Sequence, residues 1–454
     1  MAHIRKSKSN SLVCDIEKVL LAYITKGNHL IIALSGGIDS VVLLHILANL
    51  AKKVPFQLSA VHVNHGISRN AHLWSRFCCD LCYVLGIPIH VAYIQVKKES
   101  GKSLEAIARD GRYRIYSCLH ADYVVLAQHS DDQAETLLLQ LLRGAGIRGL
   151  SAMPVIRKQT FVHAPRILRP LLEVSRSTIE YYARQNDLKW VSDDSNDSIS
   201  FDRNFLRHEI LPLIKNRYPN YVQTLSRSSR HLAEASLLLD ELAEMDSISC
   251  LLFGELQIES LRKLSFARAK NLFRYVLTRQ GADLPSAVKL EEMLKQLLSL
   301  SSDNQFHISF GKTEIRSFRG AVNILPRRNF LECSGQCRYV WREGAFSTLR
   351  YLNGTICFKQ VESQGINQQK LMNQIITVRS RQGGERFMPD CNRPRRSLKK
   401  FLQEASIPSW ERDVMPLLFC GEKLVWVPGI GIDCEFKVKS GELGVLPMWS
   451  PACQ

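Results

Sequence analysis

The sequence predicts an α/β protein with a doubly wound parallel sheet at its N-terminus, a mostly helical middle domain and a small α+β C-terminal domain. Three observations carry that expectation. Apolar strand-like runs alternate with helical segments over the first third of the chain, the pattern of a parallel sheet with crossover helices. Helix-period patterns then dominate from Tyr221 to Leu300, and short β-like runs such as Ile375-Ile376-Thr377-Val378 and Leu424-Val425-Trp426-Val427-Pro428 return beyond Pro326-Arg327-Arg328. The domains expected are 1–217, 218–330 and 331–454.

The first strand, Leu30-Ile31-Ile32-Ala33-Leu34, is apolar throughout and suits burial on both faces. It runs into Ser35-Gly36-Gly37-Ile38-Asp39-Ser40 and then a helix, Val41-Val42-Leu43-Leu44-His45-Ile46-Leu47. Two glycines permit backbone approaches that a Cβ forbids, so successive N–H groups can converge on an anion at the helix N-terminus. Ser35 and Ser40 add hydroxyl donors. Asp39 is the odd member, because a carboxylate beside polyphosphate is repulsive unless a divalent cation lies between them, and it predicts Mg2+ here. No lysine follows the second glycine, which disfavours Walker A chemistry. The loop resembles that of the pyrophosphatase-loop ATPases, and the resemblance implies that Ser35, Gly36, Gly37, Ile38, Asp39 and Ser40 bind ATP, cleaved between its α- and β-phosphates.

Further strands are expected at Gln57 to Val63, Ile87 to Val91 and Tyr123 to Ala127. Their following loops, His62-Val63-Asn64-His65-Gly66 and Gln128-His129-Ser130-Asp131-Asp132 among them, fall at the carboxyl ends of strands, where ligands gather in such sheets. Between them, Cys79-Asp80-Leu81-Cys82 has redox or metal-binding spacing, but it lies in a helix-period run from Trp74 to Leu85 that favours packing. Thirteen cysteines without framework spacing fit thiols that stay reduced.

Three constellations carry charge in patterns. Asp132 and Glu135 stand one helical turn apart at the start of an apolar helix, where capping is the plain explanation and sharing a metal or orienting a nucleophile is the functional one. Glu105, Arg109 and Arg112 form a polar helical stripe, either a surface ion pair or a grip on phosphate, carboxylate or an ammonium group. Arg203, with Asn204 beside it, and Arg207 again stand one turn apart and suit RNA or a transition-state phosphate.

The net charge is +17 and favours a polyanionic partner such as nucleic acid. Neither an export signal nor an apolar run long enough to span a bilayer is evident, so the expectation is a cytosolic protein without membrane contact. Arg395, Arg396, Lys399 and Lys400, interleaved with Phe387 and Phe401, read as a segment suited to a nucleic-acid backbone. A homodimer stays open.

The glycine loop, His62 to Gly66, Glu105 to Tyr113, His129 to Thr136 with Leu142-Arg143-Gly144, Arg169-Pro170-Leu171-Leu172, and Arg203-Asn204 with Arg207 occur in one order that resembles the tRNA(Ile)-lysidine synthases. Gly383-Gly384-Glu385-Arg386-Phe387 and Arg395 to Glu404 resemble the C-terminal domain of the longer members. One departure is Gln128, which stands where many members have a first of two histidines. The resemblance implies an adenine nucleotide α-hydrolase-like fold and a ligase that uses ATP and L-lysine to convert the wobble cytidine of CAU-anticodon isoleucine tRNA into lysidine. It implies catalytic roles for Asp39, Asp132, Glu135 and Arg207, and lysine, tRNA or phosphate contacts for Glu105, Arg109, Arg112, Arg203 and Asn204. The alternatives are a tRNA cytidine thiolase of the same superfamily, which needs cluster-binding cysteines, and a non-catalytic RNA-binding protein.

Overall fold

The structure, a computed structural model, describes residues 2–66, 68, 70–96, 104–157, 164–192, 199, 201–300, 306–327, 336–342, 348–351 and 354–451. Its contacts gather into two compact units, 1–248 and 249–454.

The N-terminal unit is built on a six-stranded sheet. After helix α1 (Ala2–Tyr23) come β1 (His29–Ala33), α2 (Ile38–Leu50), β2 (Gln57–Asn64), α3 (Ala71–Leu85), β3 (Ile89–Tyr93), α4 (Leu104–Ser117), β4 (Tyr123–Val125) and α5 (Ser130–Leu142). Then follow α6 (Ile147–Leu150), β5 (Ile156–Arg157), β6 (Arg166–Leu168), α7 (Arg176–Gln185), α8 (Asp202–Phe205), α9 (Leu211–Arg217) and α10 (Tyr221–Cys250). The strand order is β3-β2-β1-β4-β6-β5, parallel except for the β5 edge. The chain winds outward from β1 through β2 to β3 and returns to β4 on the other side of β1, so β1 and β4 flank the topological switch point.

The elements follow from the residues. Leu30 and Ile32 are fully buried, as a strand covered on both faces requires, and α2 is buried almost all round, with Val42, Leu43, Leu44, Ile46 and Leu47 inaccessible. Cys78 and Cys82 belong to the same core, and burial pushes both thiols up to about 12. Of the expected Cys79/Cys82 spacing, Cys82 is thus a packing residue, while Cys79 is half-buried.

In the C-terminal unit, the expected middle helices appear as α11 (Ile258–Arg262), α12 (Phe266–Arg279) and α13 (Ala287–Ser299). With them stands a five-stranded sheet that helical periodicity did not reveal, made of strands two to six residues long. Beyond it, strands Gln336–Val340, Ile375–Arg379, Leu417–Cys420, Lys423–Val427 and Gly431–Ile432 pair antiparallel in that order. A four-stranded sheet is centred on Gly354–Glu362 and Leu443–Pro451. Trp341, Ile356, Ile376, Leu418 and Val445 are among the residues of a shared core.

Two expectations for this unit are corrected. Cys391 and Cys434 form a disulfide, against the reading of uniformly reduced thiols, because folding brings together two cysteines 43 residues apart. Phe387 has no face open to a nucleic acid. Phe387 is fully buried against Phe401, in a core with Leu398, Leu402 and Leu417.

Candidate active site

The loop after β1 is the floor of a cavity of about 370 Å³. Gly36 has φ +88°, and a Cβ there would lie 2.8 Å from the Val191 side chain and 3.2 Å from Cys78 Sγ, so both conformation and space demand glycine. Gly37 caps α2, Ile38 is buried as its first residue, and Ser40 Oγ donates to Gly37 O at 2.9 Å and meets Ser35 Oγ at 3.0 Å. The β2 motif shapes an adjoining wall. His62 Nδ1 meets Leu34 O at 2.8 Å, and burial holds this imidazole below its ordinary pKa. Asn64 donates to Ala71 O and Ser75 Oγ while accepting from Gly66 N, which fixes the turn into α3.

Asp39 links the loop to the acidic helix. Burial pushes its carboxyl above the usual carboxylate range, against the pull of His129 at 3.7 Å and Arg176 at 3.9 Å. His129, almost wholly buried, also lies 3.5 Å from Asp132 and 3.6 Å from Asp131. Burial alone would neutralise this imidazole, but the three carboxylates raise its pKa above the ordinary value. Asp132 Oδ2 accepts from His129 N at 3.0 Å, so the capping explanation for Asp132 holds locally.

Glu135 is 2% exposed and fully engaged. Arg203 Nε donates to it at 2.7 Å, and Arg207 donates through Nε at 2.7 Å and Nη2 at 2.9 Å. Both arginines also reach Asp132, at 3.3 and 3.5 Å. They come from α8 and the π turn Leu206–Ile210 that follows it, where Leu211 N–H bonds to Leu206 O. The result is a continuous charged chain, Asp39–His129–Asp132–Arg207–Glu135, running from the nucleotide loop to α5.

Other expected residues sort as follows. Arg109 and Arg112 line the cavity, and Arg112 Nε is buried without a hydrogen-bond partner among the described residues. The Glu105 side chain lies outside what the structure describes. Arg203 is committed to Glu135 and Asp132, and Asn204 is buried, so neither stands open as a simple phosphate contact. In the other unit, Arg395 bonds to Asp433 and Glu435, and Arg396 pairs with Glu404 and stacks on Phe401, whereas Lys399 and Lys400 are exposed. Sequence reasoning gave no role to His129, Arg169 or Arg176. The first two stand inside motifs it quoted, but their burial and partners depend on tertiary contacts.

The arrangement combines a phosphate-sized loop, a carboxylate whose buried Oδ1 accepts no hydrogen bond among the described residues and lies 3.7 Å from His129 (Asp39), and a bank of arginines. It can bind a nucleoside triphosphate and stabilise negative charge at phosphorus. Among the described residues no group of three or more His, Cys, Asp or Glu could hold a metal ion by itself, so a cation at Asp39 would take its remaining ligands from phosphate and water. No described helix is long and apolar enough to cross a membrane.

Comparison with known proteins extends over both units. The sequence pattern of a PP-loop domain matches residues 7–214, that of a TilS substrate binding domain 256–322, and that of a TilS substrate C-terminal domain 376–449. The tRNA(Ile)-lysidine synthase of Nitrosomonas europaea is 49% identical, with 95% of this chain and 94% of that protein covered. Those of Coxiella burnetii and Serratia proteamaculans are 38% and 36% identical, with 94% and 96% of this chain and 95% and 97% of theirs covered. A solved U34-tRNA thiolase from Methanococcus maripaludis overlaps 50% of this chain and 80% of its own at 16% identity and TM-score 0.43. Since likeness at this level runs through the nucleotide loop, the Glu135 cluster and the C-terminal unit alike, the chain belongs to the tRNA(Ile)-lysidine synthase family.

Proposed function

We propose that this chain ligates L-lysine to C2 of the wobble cytidine of CAU-anticodon isoleucine tRNA, with ATP as the activating substrate. The cytidine C2 carbonyl oxygen attacks the α-phosphorus, and the α–β phosphoanhydride bond breaks to release pyrophosphate. The neutral lysine ε-amine then forms the C2–N bond as the bond from C2 to the adenylate oxygen breaks, releasing AMP. Names carried by relatives along 95% of the chain support the reaction. The observation that carries the site is the unbroken Asp39–His129–Asp132–Arg207–Glu135 chain.

In this reading the backbone of Ser35 to Ser40 holds the pyrophosphate end. Asp39, whose Oδ1 accepts no hydrogen bond among the described residues, would hold Mg2+, which when bound offsets charge on the leaving group. Arg109 and Arg112 face the phosphates from α4. Glu135 orients Arg207 and Arg203, and Asp132, paired with both arginines and with His129, completes the charged surroundings of the lysine amine. Lys399 and Lys400, exposed and meeting no carboxylate among the described residues, present their charge to the tRNA backbone.

The test is incorporation of labelled lysine into CAU-anticodon isoleucine tRNA with ATP and Mg2+, comparing the wild type with Asp39→Ala. Incorporation by the wild type and its loss in the variant are expected. A wild type that adenylates the tRNA but incorporates no lysine would retain the first step and reject lysine as the nucleophile.

A further inference from the structure

Arg169 is an uncompensated cation inside the N-terminal unit. It is 2% exposed and follows β6, yet among the described residues it meets only neutral acceptors. Nε donates to Gln128 Oε1, Nη1 to Pro154 O at 2.9 Å and Nη2 to Tyr113 OH at 3.4 Å. Its other charged neighbours are cations. Arg109 and Arg157 sit over the Tyr113 ring at 5.0 and 5.6 Å. A buried charge without a counter-ion is strongly unfavourable, so the arrangement asks for a reason beyond packing.

Gln128 supplies one. An arginine has donors only, so the carboxamide atom facing Nε has to be the oxygen, and the usual ambiguity between amide oxygen and nitrogen disappears. The Gln128 nitrogen is therefore turned away from Arg169. Gln128 lines the cavity beside the nucleotide loop, and among the described residues no acceptor meets its amide nitrogen.

We infer that Gln128 is a hydrogen-bond donor to a substrate oxygen in this cavity, and that Arg169 is the positioning residue that fixes its orientation. The oxygen is either a phosphate oxygen of the nucleotide or the C2 carbonyl oxygen of the pyrimidine, both acceptors without a proton. The inference rests on the reaction proposed above and adds a specific contact to it. Histidine satisfies the same requirement, with one ring nitrogen accepting from Arg169 and the other donating to the cavity. Glutamate satisfies only the first half.

Three full-length variants test this. Gln128→Glu gives Arg169 a carboxylate, so it should melt at or above the wild-type temperature while lysine incorporation falls about tenfold or more. Gln128→Leu should lose a similar factor, and Gln128→His should recover most of it. A fall in ATP affinity for Gln128→Leu without tRNA assigns the oxygen to the nucleotide. Unchanged ATP affinity with a slowed tRNA-dependent step assigns it to the base. Wild-type rates in Gln128→Glu and Gln128→Leu, or Gln128→His no better than Gln128→Leu, overturn the inference. If the wild type itself incorporates no lysine, the proposed reaction fails separately. ATP affinity and the rate of tRNA adenylation then decide the Gln128 contact, a tenfold fall in either supporting it and no change in both overturning it.

Discussion

Glu135 in the N-terminal unit and Asp433 in the C-terminal unit are both buried carboxylates held by arginine, yet their remaining partners differ. Asp433 is wholly inaccessible and ties loop segments together. It accepts from Met388 N, Glu435 N and Arg395, next to the Cys391–Cys434 disulfide. Glu135 receives no backbone bond among those described. Its three donors come from Arg203 and Arg207, which stay partly exposed and continue to Asp132. The same ion-pair chemistry thus staples a loop in one place and, in the other, joins two arginines to the charged chain that leads to Asp39. What distinguishes the two is the source of the remaining hydrogen bonds.

Replacing Glu135 should break that distinction most severely. Glu135→Gln leaves two arginines with a neutral acceptor, and losing one partner of a buried pair costs about 3–5 kcal/mol. Expressed through the transition state, lysine incorporation should fall at least about 100-fold, measured by single-turnover assay. A near-normal rate would make Glu135 another Asp433. The reciprocal variant, Asp433→Asn, should destabilise the C-terminal unit by about 3 kcal/mol in denaturant unfolding followed by tryptophan fluorescence. ATP affinity should stay at the wild-type value, and a loss of ATP binding would place Asp433 in the catalytic machinery.

Asp131 sharpens the comparison by pH. Burial alone would raise its pKa, but the His129 imidazole 3.6 Å away and the hydrogen bonds from Arg176 N and Ser130 Oγ bring it down to about 2. A carboxylate depressed on folding stabilises above its unfolded pKa near 3.8, and that contribution disappears as pH falls from there through about 2. Asp131→Asn should therefore remove about 2 kcal/mol at pH 7 and flatten the acid limb of unfolding. An unchanged acid limb would show that His129 draws its charge from Asp39 and Asp132 alone.

How much of this was legible in the sequence depends on the range of the interaction concerned. The nucleotide loop, β1, β2 and β4, α10 and the one-turn spacing of Arg203 and Arg207 follow from local apolar pattern, glycine content and helical period. β3 begins two residues later than expected, because Ile87 and Pro88 belong to the turn that enters it. The middle sheet escaped notice because its strands are too short for period-2 alternation to register. The Arg203–Glu135 bond spans 68 residues, and the Arg169–Gln128 bond spans 41. Only the fold reveals such pairings. The basic C-terminal segment misled for the same reason, since Arg395 and Arg396 look like free charge until Asp433, Glu435 and Glu404 are seen beside them.

The smallest effect separates free charge from committed charge within that segment. Lys399 and Lys400 lie exposed on helix Leu398–Glu404 and meet no carboxylate among the described residues. Each that neutralises a tRNA phosphate contributes about 0.7 to 0.9 to the slope of log affinity against log salt. The double variant Lys399→Ala/Lys400→Ala should therefore bind tRNA several-fold more weakly at moderate salt, with a slope shallower by about 1.5 and an unchanged melting temperature. Arg395→Ala should behave oppositely, lowering the melting temperature because Asp433 is left buried and unpaired, while the salt slope of the folded protein stays near the wild-type value. If instead Arg395→Ala flattens the slope and the lysine variant does not, the Asp433 pair opens when tRNA binds. The two buried carboxylates would then both be aiming devices, one for each unit.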